Sequence, residues 1–277
     1  MSLLSRRADK PVELRVGDAL IASLTRPRSD RPSVLSFSLP KAGSVMLENI
    51  MVDLSRRAGL GYFSLETALF EKGVAVDDTP PKAAKLFFPK GYCYGGFRRL
   101  PASFEIPILG RSKKILLVRD PRDMLVSLYF SITRSHRPPG AEAGAEALER
   151  FERDRAKVSA TPIDVFMKHR AERFSRLYRS YDPILDDPKL RVYRYEDVLY
   201  EKRAWVADIC SWFGWDVGES ERNEIADAHD LIPGQENQGE HVRKAHPGDH
   251  REKLDAKTID FLNNVLAPIL ERHNYDR

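Results

Sequence analysis

The chain has 277 residues, of which 42% are hydrophobic and 31% are charged, and its formal net charge is +4. This is enough chain for one large α/β domain with a real core, and the modest charge, without a basic stripe, argues against a nucleic-acid partner. Cys93 and Cys210 lie far apart without metal-ligand spacing, so we expect reduced thiols in a cytoplasmic protein. No apolar run is long enough for a signal peptide or a membrane span, and we expect neither.

The amino-terminal part predicts a strand, a loop and a helix after a polar start. Residues 1–32 are polar and rich in arginine, and we expect a lead-in with one small strand at most. Residues 33–39 alternate apolar side chains with serines, which predicts a buried strand. Residues 44–58 carry apolar side chains at helical spacing, and Gly59 follows where a helix-ending glycine belongs.

Two further units repeat this pattern. Residues 115–118 form a continuous apolar run, which is typical of a central parallel strand. Asp120 can cap the following helix, and Pro121 suits the first helical position. Residues 191–198 predict a third strand, followed by a helix that ends before Gly214.

The remaining segments predict helices and one long loop. Residues 134–160 are charged and predict a helical excursion, and residues 161–181 predict another helix. Residues 230–256 predict a long loop, of the kind that is often functional. Residues 258–270 predict a final helix, in which Pro268 can cause a bend. We therefore expect an α/β fold, with a single domain over residues 33–277 that contains a central parallel β-sheet flanked by helices.

The first candidate site is the stretch PKAGS, residues 40–44, between the first predicted strand and its helix. Backbone N–H groups at a helix start bind anions, Lys41 adds a full charge, and Gly43 permits close approach of the ligand. It is not a Walker A loop, because the lysine precedes a single glycine. The alternative interpretation is an ordinary turn with a surface lysine.

The second candidate site is RDPRDMLVS, residues 119–127. Arg119 follows a predicted central strand, at the edge where open α/β sheets bind ligands. Ser127 lies about two helical turns further on, so the two side chains can form a phosphate pocket. The alternative is a salt-bridged helix cap, which we prefer for Arg122 and Asp123 but not for Arg119.

The third candidate site is the stretch HVRKAHPGDHREK, residues 241–253, in the long late loop. Taken alone, it reads as a solvated basic loop. Taken together, the three stretches describe one ligand with two separated anionic groups.

These motifs resemble those of a known family. The order PKxG(S/T), RxPRDxxxS, YED and RKxxxGD resembles the cytosolic and Golgi-type sulfotransferases, from about residue 33 to the carboxyl terminus. Those enzymes use 3′-phosphoadenosine 5′-phosphosulfate (PAPS) and release 3′-phosphoadenosine 5′-phosphate (PAP). The resemblance implies their P-loop-NTPase-like fold, PAPS as the co-substrate and no metal.

The resemblance also implies roles for particular residues. Lys41 would contact the oxygen that bridges phosphate and sulfate, and Arg119 with Ser127 would bind the 3′-phosphate. Tyr195 would lie near the adenine. The nucleotide-binding residues implied in the two loops are Lys41, Ala42, Gly43, Ser44, Val45, Met46, Arg243, Lys244 and Ala245.

The chain departs from the family at several positions. Val45 and Met46 stand where the family often has a hydroxyl residue and an adenine-stacking tryptophan. Ala245 replaces a glycine, and His250 replaces a tryptophan. The KTH segment with its catalytic histidine is absent, since residues 85–101 contain no histidine.

The general base therefore has several candidates. Glu66 follows the second predicted strand, and some carbohydrate sulfotransferases use a glutamate from about this part of the fold, so we favour it slightly. The alternatives are Tyr92, His136, His246 and His250, of which the histidines could be merely exposed.

The sequence thus predicts transfer of a sulfuryl group from PAPS to a hydroxyl or amine. The acceptor is a small molecule or a glycan; carbohydrate, lipid and natural-product hydroxyls stay open, and the oligomeric state is not predicted. The alternatives are a non-catalytic protein that binds PAP or PAPS, and a P-loop small-molecule kinase.

Overall fold

A computed structural model describes residues 10–27, 29–135, 138, 140, 144–230 and 246–277. Its strands are β1 (Val12–Val16), β2 (Ala19–Leu24), β3 (Val34–Ser38), β4 (Gly61–Ser64), β5 (Tyr92–Phe97), β6 (Lys114–Val118) and β7 (Leu190–Arg194). Its α-helices are α1 (Ser44–Arg57), α2 (Leu65–Glu71), α3 (Pro121–Phe130), α4 (Gly144–Ser159), α5 (Ile163–Arg179), α6 (Asp182–Leu185), α7 (Tyr195–Val198), α8 (Lys202–Phe213), α9 (Glu219–Ala228), α10 (Asp249–Lys253), α11 (Ala256–Val265) and α12 (Ala267–Arg272). Short 3-10 turns lie at Val76–Asp78 and Pro81–Leu86, and a π-helical turn at Ser131–Ser135.

The central sheet has five parallel strands in the order β4-β5-β3-β6-β7. This confirms the predicted α/β class and its parallel sheet. Because the strands are parallel, all five carboxyl ends lie at one edge. The residues that follow those strands, among them the two predicted anion-binding motifs, are therefore gathered at this edge.

Two hydrophobic cores lie on opposite faces of the sheet. Along β6, Leu116 and Val118 belong to one core, while Ile115 and Leu117 belong to the other. Strand side chains alternate between faces, so a strand that is buried on both sides reads as an unbroken apolar run. This alternation explains why β6 was recognisable in the sequence.

Four segment predictions need correction. The predicted third strand, residues 191–198, ends at Arg194, and α7 takes its last four residues. The lead-in contains a two-stranded hairpin, β1–β2, rather than one small strand at most, and it packs Leu14 and Ile21 into the larger core. The predicted loop over 230–256 contains α10 and the start of α11; residues 231–245 lie outside the described part. The final helix divides into α11 and α12, and Pro268 occupies the first turn of α12, where its missing N–H is tolerated.

The hairpin predicts a measurable contribution to stability. Leu14 is 1% exposed in the core, whereas Leu20 on the neighbouring strand is 38% exposed. Leu14→Ala should lower the free energy of unfolding by about 2–5 kcal/mol, because it removes buried methyl groups and leaves a cavity. Urea denaturation measures this loss. Leu20→Ala is the matched control and should change stability little; equal effects would place the hairpin outside the core.

Candidate active site at the carboxyl edge of the sheet

The PKAGS loop presents an open helix start at this edge. Lys41 and Gly43 have φ angles of 65° and 84°, so the chain turns sharply before α1. No side chain caps α1, and its first turn contains no acidic residue. The first N–H groups of a helix need acceptors, and the positive end of the helix dipole favours an anion there.

Gly43 is required because the loop packs closely on Tyr195, the first residue of α7. A Cβ atom at position 43 would lie 2.8 Å from the Tyr195 ring carbon Cδ2, which is too close for any side chain. The positive φ of Gly43 also favours glycine. Tyr195, predicted to lie near the adenine, is thus adjacent to the loop.

Arg119 contacts both the PKAGS loop and Tyr195. Its guanidinium lies over the Tyr195 ring, with Cζ 4.4 Å from the ring centroid. Its Nη1 donates a long hydrogen bond of 3.3 Å to the Lys41 carbonyl, and Tyr178 donates its hydroxyl to the Arg119 carbonyl. Arg119 is buried, yet its Nε atom has no hydrogen-bond partner among the described residues. A buried N–H without a partner is costly, which favours a ligand at this position.

Two carboxylates near Arg119 are bound to other donors. Asp120 caps α3 and accepts two hydrogen bonds from the Arg122 guanidinium, at 3.0 and 2.6 Å. This confirms the salt-bridged cap that was predicted for Arg122, whereas the same prediction for Asp123 is wrong, because its carboxylate binds Gly248 and His250. Glu196 accepts the Asp120 N–H at 2.8 Å and the Tyr275 hydroxyl at 3.0 Å.

The third carboxylate, Asp123, binds the segment that begins α10. It accepts N–H groups from Gly248 at 2.7 Å and His250 at 2.9 Å, and also the His250 Nδ1–H at 2.6 Å. His250 is 2% exposed, so the interpretation of an exposed loop histidine is wrong. Burial alone would raise the pKa of Asp123, but the hydrogen bond from His250 and the charge of Arg119 outweigh it and lower the pKa to about 2.

Glu66 lies at the same edge, in the first turn of α2 directly after β4. Its Oε1 accepts the backbone N–H of Arg98 at 2.9 Å, at the end of β5. Burial raises the pKa of Glu66, although the backbone hydrogen bond and the charge of Arg98 oppose the shift. A carboxylate with a raised pKa is a stronger base, so its environment suits proton abstraction.

Sequence reasoning missed a polar network beside Glu66. Glu48, on the second turn of α1, accepts hydrogen bonds from Thr67 Oγ1 at 3.2 Å and from Arg98 Nη2 at 3.4 Å. Gly96 on β5 makes room for this network, since a Cβ at this position would overlap Ser64 Oγ, which donates a hydrogen bond to Thr67, and would lie 3.4 Å from Glu48 Oε1. The one sequence signal for this network was Glu48 itself, which lies one helical turn after Ser44 of the PKAGS loop.

The other candidate residues are placed as follows. Ser127 is half-buried on α3, and no hydrogen bond joins its side chain to Arg119 within the described part of the chain. Tyr92 begins β5 at the opposite edge of the sheet and donates its hydroxyl to the Thr25 carbonyl at 2.9 Å. Burial raises the pKa of Tyr92, so both its position and its pKa argue against a role as the base.

The late loop is described only in part. His246 Nδ1 and the exposed Tyr200 hydroxyl share a hydrogen bond of 2.6 Å. The remaining candidates of that region and one other histidine lie outside the described residues: Arg243, Lys244, Ala245 and His136. Their predicted roles stay predictions.

The described residues contain neither a metal-binding cluster nor a membrane-spanning helix. Among them, no three His, Cys, Asp or Glu side chains are grouped so that they could bind a metal ion. None of the described helices is both long enough and apolar enough to cross a bilayer.

Comparison with protein families identifies the class. The family model for the sulfotransferase domain matches residues 100–273, and the chain therefore belongs to the sulfotransferase family. Comparison with curated protein sequences gave no match.

Solved structures share the fold. Mouse sulfotransferase SULT7A1 in complex with PAP is similar at a TM-score of 0.58 and 15% identity, covering 88% of this chain and 84% of that chain. Retinol dehydratase with androsterone and inactive cofactor PAP gives 0.51, 16% identity and coverages of 89% and 82%. Retinol dehydratase with retinol and PAP gives 0.53, 15% identity and coverages of 89% and 83%. These likenesses confirm the predicted P-loop-like sulfotransferase fold.

The lowered pKa of Asp123 predicts a pH-dependent loss of stability. Its pKa of about 2 lies below the ordinary value of 3.8, so the ionised group contributes roughly 2 kcal/mol to folding at neutral pH. The contribution is present above about pH 4 and is lost as the pH falls towards 2. Asp123→Asn should therefore destabilise the protein most at pH 7, and about half as much at pH 3.

Denaturation at several pH values measures this difference. The control is Asp227→Asn, since Asp227 pairs with Arg203 on the exposed surface and should matter little. If Asp123→Asn destabilises the protein equally at pH 7 and pH 3, the pKa of Asp123 is not lowered in the folded protein.

Proposed function

We propose that the protein transfers a sulfuryl group from PAPS to a hydroxyl or amine of an acceptor. One observation carries the proposal within this family. The buried Arg119, whose Nε has no partner among the described residues, lies beside an uncapped helix start. Both are sites for anions, and they belong to one surface because Arg119 contacts the loop carbonyl and the Tyr195 ring. This arrangement fits a nucleotide that carries two separate anionic groups.

The chain's own residues would bind the nucleotide at both ends. The loop from Lys41 to Met46 would surround the 5′-phosphosulfate, chiefly through backbone N–H groups. Arg119 and Ser127 would bind the 3′-phosphate, and Tyr195 would lie near the adenine. Arg243, Lys244 and Ala245 are proposed to complete the 3′-phosphate site. The PAP named with the similar solved structures is consistent with this assignment.

Two residues would act on the reacting atoms. The acceptor must lose a proton, and negative charge must be stabilised on the departing phosphate. Lys41 would supply a fixed positive charge at the leaving oxygen, and Glu66 would take the acceptor proton. The raised pKa of Glu66 and its place after β4 support this role. No metal ion is part of the proposal.

The acceptor is proposed as a small molecule with a hydroxyl or amine group. Retinol dehydratase was solved with androsterone and with retinol, which are both small and mainly apolar alcohols. A carbohydrate, another lipid or a natural product remains an alternative. The cytoplasmic location inferred from the sequence stays a prediction.

A transfer assay over a mixed acceptor panel tests the proposal. Purified protein receives sulfur-labelled PAPS and separate sterols, retinoids, phenols, sugars and amines, and labelled products are separated from PAPS. Calorimetric titration with PAP, ADP and ATP runs in parallel. Label transfer supports the enzyme; PAP binding without transfer to any acceptor favours the non-catalytic alternative. Preference for ATP over PAP would favour a kinase.

Arg119 is predicted to dominate PAP affinity. Arg119→Ala should weaken PAP binding by about 2–4 kcal/mol, because a phosphate loses its charge-assisted partner. Calorimetry measures the change. Arg203→Ala is the matched control, since it removes an arginine whose partner Asp227 is on the surface. Similar losses in both variants would show that affinity depends on overall charge rather than on this site.

Glu66 is predicted to control turnover rather than nucleotide affinity. Glu66→Gln is nearly isosteric and should keep PAP affinity, while kcat falls about 10²–10⁴-fold, the usual contribution of a general base. The low-pH limb of kcat/KM, which reports the base in the free enzyme, should disappear. Glu71→Gln, at the exposed end of the same helix, is the control. A fully active Glu66→Gln variant would exclude Glu66 as the base.

A further inference from the structure

We propose that His250 is a positioning residue that keeps the Asp123 carboxylate from binding Arg119, so that Arg119 remains available for an anionic ligand. The inference rests on the proposed function, in which that ligand is the 3′-phosphate of the nucleotide. The family resemblance leads one to expect a tryptophan at position 250, so the contact of His250 with Asp123 is not implied by that resemblance.

The relation between Arg119 and Asp123 is unusual. Both are buried, at 5% and 1% exposure, and they are near enough for the Arg119 charge to help lower the pKa of Asp123. A guanidinium beside a buried carboxylate ordinarily forms two parallel hydrogen bonds with it. Within the described ranges, however, no ion pair joins these two residues, and Asp123 instead pairs with His250.

Competing donors explain why that pair is missing. The Oδ2 atom of Asp123 accepts the Gly248 N–H, and Oδ1 accepts both the backbone N–H and the Nδ1–H of His250. Both oxygens therefore face α10 rather than Arg119. Because the Nδ1–H bond is 2.6 Å long and the His250 side chain is 3% exposed, water does not compete with it freely.

The other two carboxylates around Arg119 are likewise hydrogen-bonded to donors other than Arg119. Asp120 is bound to the Arg122 guanidinium, and Glu196 to the Asp120 N–H and the Tyr275 hydroxyl. Arg119 is thus surrounded by negative charge, which offsets the cost of burying it. Its Nε keeps no acceptor within the described residues. Of the three carboxylates, Asp123 alone depends on a histidine side chain for one of its donors.

Removing the histidine donor should therefore close the anion site. In His250→Leu, Oδ1 of Asp123 loses its shortest hydrogen bond and can turn towards Arg119. PAP binding should weaken about tenfold or more, since a hydrogen bond between charged groups is worth at least that factor. His250→Asn should keep nearly normal affinity, because its side-chain N–H can occupy the position of the Nδ1–H.

A second substitution separates positioning from simple structural damage. If Asp123 captures Arg119 in His250→Leu, then adding Asp123→Asn removes the capturing charge, and PAP affinity should recover at least several-fold. Two changes that merely damage the fold would make binding weaker still. His229→Leu is the matched control: it removes a different contact between a histidine and an aspartate, that of His229 Nε2 with Asp53 at 2.9 Å, and should leave PAP affinity unchanged.

Calorimetry of the four variants and a crystal structure of His250→Leu without nucleotide complete the test. Support consists of weak binding by His250→Leu, normal binding by His250→Asn, recovery in the double variant, and an Arg119–Asp123 salt bridge in the crystal. Normal binding by His250→Leu, or a double variant weaker than His250→Leu, overturns the inference.

If the wild-type protein does not bind PAP, the proposed function fails. The crystal structure then still decides the inference, because an Asp123 that does not move towards Arg119 overturns it.

Discussion

The site depends on one constraint. The buried guanidinium of Arg119 needs negative charge nearby, but its N–H donors must stay available for a ligand. Arg119 follows a central strand that is buried on both faces, and it is itself 5% exposed. Burial of an unpaired cation is unfavourable, while a two-bond ion pair with a protein carboxylate would occupy donors that a ligand needs. The structure meets both demands by placing carboxylates nearby and binding each of them to other donors. The capping of α3 by Asp120, the attachment of α10 to Asp123 and the contact of Tyr195 with the guanidinium all lie around this one side chain.

The parallel sheet supplies the geometry for the site. The PKAGS loop follows β3, Glu66 follows β4, Arg98 follows β5, Arg119 follows β6, and Tyr195 follows β7. Residues that are far apart in sequence therefore meet at one edge, and each sits on a short connection from a rigid strand. The chain's place in the sulfotransferase family agrees with a ligand site at that edge.

The sequence predicted the features that depend on local chemistry. The continuous apolar run of β6, the Asp120 cap and the glycine after α1 all follow from short-range rules, and each was found as predicted. The features that were missed depend on distant contacts. His250 meets Asp123 across more than a hundred residues, and no local pattern indicates that a histidine in a basic stretch will be buried. The hairpin was missed because one apolar face on a polar segment gives a weak signal, and its burial depends on packing against the rest of the fold.

The hydrogen bond that orients Glu66 has a consequence for how the proposed acceptor side of the site can vary during evolution. Its carboxylate is oriented by the main-chain N–H of Arg98, and a main-chain donor is present whichever amino acid, other than proline, occupies that position. Side chains at the end of β5 can therefore change size and charge through successive mutations without removing this hydrogen bond. Selection could reshape what the protein recognises while the proposed proton acceptor stays in place.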